Sequence, residues 1–209
     1  MAAKFIVTIN RQYGSHGREI GRALADELGV KYYDRELITL ASNASGFAQS
    51  FFENADEKPS NSLMYSLVMG SFATKGWFYQ NNDLFSNDKL FAIQAEIIRK
   101  VASESCVIVG RCADFLLRDE PGLITVFTHA PIEYRIKNVR KEHPEASDKD
   151  LESMIRRMDK NRANYYNYYT SREWANLANY HLVIDTSFTG VDGAVKLIRK
   201  LKELKERKS

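Results

Sequence analysis

The residues of this chain best placed to do chemistry are arginines and glycines grouped around one polar loop. RQYGSHGRE, residues 11–19, follows an apolar run and leads into the helical pattern EIGRALADEL. A strand that turns through glycines into a helix makes a phosphate cradle. Gly14 and Gly17 permit turns that a side chain would hinder, and the new helix directs unpaired N–H groups and the positive end of its dipole at a bound anion. Arg18 adds a fixed positive charge at the helix start. The spacing departs from the usual phosphate loop, GxxxxGK followed by Ser or Thr: Gln12 stands at the first glycine, Arg18 at the lysine, and Glu19 at the hydroxyl that ordinarily holds magnesium. Pattern alone leaves both an anion-binding loop and a plain strand-to-helix turn open.

In VIVGRCADFLL, Gly110 ends an apolar run and Arg111 emerges at its carboxyl end. A guanidinium there matches a phosphate bidentately, so Arg111 and Arg18 could approach one anion from two strands; pairing with a carboxylate such as Asp114 is the plainer alternative. Farther on, Arg156, Arg157, Asp159 and Arg162 share one helical stretch. Spacings of three place Arg156 beside Asp159 and Asp159 beside Arg162, which is one polar face or simply a solvated salt-bridge helix. Together these are parts suited to phosphoryl transfer, which needs positioned cations, in-line geometry and exclusion of water more than covalent chemistry.

The elements that must position these residues follow from hydrophobic period. Strand-length apolar runs fall at Phe5–Ile9, Cys106–Val109, Ile124–Phe127 and Leu182–Ile184, with a weaker one at Lys31–Tyr33. Helical patterns separate them at Arg18–Leu28, Arg35–Ala44, Lys89–Ala102, Ile132–Lys141, Asp148–Asn164 and from Val191 onward. Strands that alternate with helices and are apolar throughout call for an α/β fold with a parallel sheet covered on both faces, and such sheets bind ligands beyond the carboxyl ends of their strands. Between Ser45 and Asn87 the pattern breaks into aromatic, Met and turn residues. This segment reads as a substrate flap, a surface excursion or a two-fold contact between copies of the chain. Arginines and tyrosines interleave in RRMDKNRANYYNYYTSREW without any accompanying RNA-binding pattern, so nucleic acid is not expected as a partner.

At 209 residues the chain can bury one substantial core. A net charge of +3 is too small to argue for a polyanionic partner, and the basic stretch KLIRKLKELKERK reads as the solvated face of an amphipathic helix. Cys106 and Cys112 are the two cysteines, and neither forms a CxxC or Cys/His pattern. No signal-peptide core is evident and no segment approaches the roughly 20 apolar residues of a membrane span, so the expectation is a cytoplasmic protein without membrane contact.

Taken in order, TINRQYGSHGREIGRALADELGVKYYDREL, ENADEKPSNS, CVIVGRCADFLL, RMDKNRANYYNYYT and LVIDTS resemble the cytidylate kinase-like family of P-loop nucleoside monophosphate kinases across essentially the whole chain. The resemblance implies a three-layer α/β/α P-loop fold with five parallel strands, a single domain over residues 1–209, an acceptor-binding insertion at 45–87 and a lid-like region at 143–172. It implies ATP as donor and Mg2+, with transfer to CMP or dCMP. By the same resemblance Gly14, Ser15, His16, Gly17, Arg18 and Glu19, with Ile20 behind them, match the phosphate loop; Asp34 and Arg35 open the monophosphate site; and Arg111 matches the arginine that holds the acceptor phosphate. Asp159 and Arg162 match the lid's Asp-x-x-Arg, Arg156 falls near another lid arginine, and Asp185-Thr186-Ser187 resembles the segment beside the donor base. The departures leave magnesium to Glu19, Ser15 or water. A nucleotide-binding regulator with a decayed loop, and a kinase of another small acceptor, stay open beside the kinase reading.

Overall fold

The computed structural model describes residues 4–34, 37, 39, 40, 43 and 87–207. The proposed insertion at 45–87 therefore falls almost wholly outside the described residues, as does Arg35. In chain order the elements are β1 (Ile6–Arg11), α1 (Gly17–Leu28), β2 (Lys31–Tyr33), α2 (Asn87–Val101), β3 (Cys106–Val109), α3 (Ala113–Leu116), β4 (Leu123–His129), α4 (Ile132–Arg140), α5 (Asp148–Thr170), a 3-10 turn (Leu177–Asn179), β5 (Leu182–Asp185) and α6 (Thr186–Glu206). The five strands form one all-parallel sheet in the order β2-β3-β1-β4-β5, with helices on both faces. β1 lies at its centre, buried along its whole length.

Side-chain alternation along β1 divides the core into two layers. Val7 and Ile9 pack with Ile20 and Leu24 of α1 and with Val195 and Ile198 of α6. Ile6 points the other way, toward Ile98 of α2, Ala113 and Leu117. Each fully buried Ile or Leu contributes about 1.5–3 kcal/mol, and this apolar cover on both sides holds the strand ends in a fixed array. β2 and β3 lie on one side of β1 and β4 and β5 on the other, and the crevice beyond the carboxyl ends at that switch is where such sheets bind ligands.

Two helices depart from the expected bounds by several residues. α5 runs to Thr170 rather than Asn164, because Tyr165 and Tyr166 are buried with Phe127, Trp174 and Tyr180, and that packing outweighs the modest helix propensity of tyrosine. α6 begins at Thr186 rather than Val191, with a break at Gly190 (φ 62°, ψ −172°), so the expected start is that of its second segment. Among the described residues no helix is long and apolar enough to cross a membrane.

Candidate active site

β1 delivers its loop to the sheet rim, and two close contacts shape that loop. Gly14 has φ 79°, and a Cβ there would lie 2.9 Å from both the Arg135 carbonyl and Val139 Cγ2. Gly17 presses on the strand it follows, since a Cβ would fall 2.5 Å from Arg11 Cβ. His16, at φ 58°, turns the chain into α1 without a side-chain cap. Among the described residues, the amides of Gly14, His16, Gly17, Arg18 and Glu19 donate to no protein acceptor. A row of such donors at a helix start has the chemistry to receive an anion. A cavity of about 160 Å³ opens there, with Gly14, His16, Gly17, Arg18, Glu19 and Arg162 among its walls.

Two residues of the expected loop set contribute otherwise. Ser15 is fully buried, and its hydroxyl donates to the Gln12 carbonyl at 2.8 Å and lies 2.9 Å from Thr128 Oγ1. Its amide also closes a turn onto Gln12. This corrects the expectation that Ser15 could hold magnesium, because the hydroxyl is buried and does not line the cavity. Ile20 turns its side chain into the core, and its amide donates to His16 O at 2.9 Å. Glu19 remains exposed at the cavity, with Oε1 3.2 Å from His16 Nδ1. Mg2+ takes one or two carboxylates together with substrate phosphates and water, and Glu19 with Glu142 on the same cavity wall fits that donor set.

Arginines from three segments converge on Asp34, buried just beyond β2. Arg18 Nε lies 2.7 Å from Asp34 Oδ2, Arg111 Nη1 3.5 Å and Arg11 Nη2 4.0 Å from Oδ1. Arg111 also donates to the Asp34 carbonyl. Arg111 thus faces Asp34, and Asp114 takes different partners: its carboxylate accepts from Asn10 Nδ2 at 3.0 Å and from the Tyr166 hydroxyl at 2.7 Å. Burial raises the Asp114 pKa while the Tyr166 and Asn10 donors oppose that rise. Burial also pushes Tyr166 and Tyr180 upward, so both remain neutral donors. The exit from β3 is strained, with Gly110, Arg111 and Cys112 all left-handed at φ 75°, 54° and 56°. Each non-glycine residue so placed costs about 1–2 kcal/mol.

The expected polar face on α5 is divided. Asp159 turns to the phosphate loop, accepting the Tyr13 amide at 2.7 Å and pairing with Arg135 Nη1 at 2.5 Å. Arg162 is buried, donates to the Arg11 carbonyl at 3.1 Å, and sets its guanidinium 5.5 Å from the Tyr13 ring centroid. Arg156 points outward, with Nε donating to Glu152 at 2.8 Å and the side chain 67% exposed. The structure therefore does not bring Arg156 to the cluster: the i,i+4 pair with Glu152 holds it on the solvent side. A smaller cavity of about 10 Å³ joins Arg11, Arg111 and Arg162 beneath the rim. Asp185 caps α6, and the Ser187 hydroxyl donating to it holds its carboxyl below the usual range.

Arg11, Arg135 and Asn138 belong to the site's framework and were not among the expected residues, and Asp114 was expected only as a partner for Arg111. Arg11 had a signal: like Arg111, it is a charged residue closing a buried strand. Asn138 donates to Gly14 O at 2.9 Å from a helix far along the chain, and no local pattern marks it. Arg135 likewise sits in an ordinary charged helix sequence.

A model of the cytidylate kinase-like family matches residues 6–188. A search of curated proteins finds no match. Among solved structures, the chain is similar to an uncharacterized protein from Eubacterium ventriosum, at 25% identity and TM-score 0.70, over 96% of this chain and 99% of that one. It is also similar in fold to shikimate kinase from Bacteroides thetaiotaomicron, at 14% identity, TM-score 0.54 and coverage of 96% and 99%. A gluconokinase from Sinorhizobium meliloti gives 14% identity and TM-score 0.52, with 99% and 98% covered.

Proposed function

This chain belongs to the cytidylate kinase-like family, and we propose that it is an ATP-dependent kinase of a nucleoside monophosphate, CMP or dCMP foremost. The observation that carries this reading is the meeting of open loop amides with Arg11, Arg18, Arg111 and Arg162 at one sheet rim. The amides of Gly14, His16, Gly17, Arg18 and Glu19 bind the donor's phosphates, and Arg18 neutralises charge on the transferring group. Arg111 holds the acceptor phosphate, with Asp34 orienting its guanidinium, and Arg162 approaches from α5. An acceptor phosphate oxygen attacks the γ-phosphorus; that P–O bond forms as the bond to the β-γ bridging oxygen breaks, and ADP leaves with the electron pair. Bound Mg2+, held by Glu19, would offset charge on the donor phosphates.

The test is ADP release across a panel of nucleoside monophosphates, repeated with Arg111→Ala. Turnover selective for one monophosphate, lost by at least tenfold in the variant, supports the reading. Equal background turnover with every acceptor overturns it; ATP binding without transfer would instead favour a nucleotide-binding regulator.

A further inference from the structure

We propose that Asp114 is the positioning residue that sets the relative placement of Arg11, Arg111 and Arg162. This rests on the reading that Arg111 holds the acceptor phosphate. Three observations meet at this carboxylate. Asn10, which donates to Asp114 at 3.0 Å, is the β1 residue immediately before Arg11. Asp114 itself stands three residues after Arg111, directly beyond the left-handed exit from β3. Tyr166, which donates at 2.7 Å, lies four residues after Arg162, one turn along α5. One buried carboxylate therefore links the backbone segments that carry all three arginines.

The linkage explains why a strained turn persists. Left-handed Arg111 and Cys112 survive only where surrounding structure over-determines them. Cys112 supplies no side-chain cap to α3, and the Phe115 and Leu116 amides close the turn onto the Cys112 carbonyl at 3.0 and 2.9 Å. Asn10 also donates to the Tyr180 hydroxyl at 3.2 Å, and Tyr180 in turn donates to the Trp174 carbonyl at 2.7 Å, so the hub is anchored beyond α5. Its ligands are all neutral donors, which suits a carboxylate used for geometry and kept apart from substrate. Asp114 is buried and lines neither rim cavity, whereas Arg11, Arg111 and Arg162 all line the smaller one, so it acts through those arginines.

The experiment is a double-mutant cycle of Asp114→Asn with Arg111→Ala, read by acceptor KM, donor KM and kcat, with Tyr166→Phe as a milder variant that removes one donor. Asp114→Asn is expected to raise acceptor KM about tenfold with donor KM changed less than twofold, and to add less than twofold in the Arg111→Ala background. An equal further loss in that background, or parallel losses in both substrates, would show a purely structural role and overturn the proposal. If the unmodified protein turns over no monophosphate, the functional reading fails on its own. The positioning claim is then judged by backbone carbon chemical shifts of Arg111 and Cys112 in Tyr166→Phe and Asp114→Asn: departure from left-handed values supports it, and unchanged shifts overturn it.

Discussion

Asp159 accepts the backbone amide of Tyr13 at 2.7 Å, fastening α5 to the phosphate loop through one carboxylate. Arg135 completes the fastening from α4, with Nη1 2.5 Å from the same residue. The loop is thus positioned by two helices that follow it by more than a hundred residues, and donor binding should depend on them.

Replacing Asp159 by Ala should weaken ATP binding at least tenfold and lower thermal stability. The change strands the buried Arg135 guanidinium, and losing one partner of a buried pair costs about 3–5 kcal/mol. Asp159→Asn keeps an acceptor for the Tyr13 amide and should lie between Ala and the native residue. Calorimetric titration with ATP, alongside thermal melts, checks both values.

Gly17→Ala should destabilise the protein by about 1–3 kcal/mol, since overpacking a close contact forces backbone movement. The added methyl would meet Arg11 Cβ at 2.5 Å and Thr128 Oγ1 at 2.9 Å. Because relief requires shifting the loop from the strand end, ATP affinity should fall with it. Chemical denaturation and nucleotide titration together test the link.

On α5, Arg162→Ala should reduce kcat/KM at least tenfold more than Arg156→Ala. Arg162 is buried against the Arg11 carbonyl, whereas Arg156 is bonded to Glu152 on the solvent side. Steady-state kinetics on the two variants gives the comparison, and equal losses would contradict the assigned geometry.

His181 should make stability fall in mild acid. Its Nδ1 accepts the Thr125 amide at 3.0 Å, a bond only the neutral ring can make, and burial holds its folded pKa below the ordinary 6.5. The unfolded chain therefore binds the proton more readily. The contribution is full above about pH 6.5 and is lost as the pH falls through that value toward the lower folded pKa. Melting temperatures from pH 8 to pH 5 should show a steeper decline for the native protein than for His181→Asn.

The alternation of apolar runs and helical patterns determined the parallel sheet, because burial on both faces leaves a signal in every residue of a strand. The run Phe5–Ile9 followed by glycines likewise placed a strand-to-helix loop at residues 11–19, with its role left open by spacing alone, and the buried run ending at Gly110 located Arg111 at the rim. These features are local, written in consecutive residues. Partnerships were decided only by the tertiary structure. Helical spacing put Asp159 with Arg156 and Arg162, yet the fold gives Asp159 to Tyr13 and Arg135, Arg156 to Glu152, and Arg162 to the Arg11 carbonyl. Spacing along a helix states which residues share a face; it does not state what packs against that face. Asp114 was legible as a nearby carboxylate, but its bonds to Asn10 and Tyr166 span 104 and 52 residues, and only the closed sheet with α5 laid across its rim brings those groups within reach.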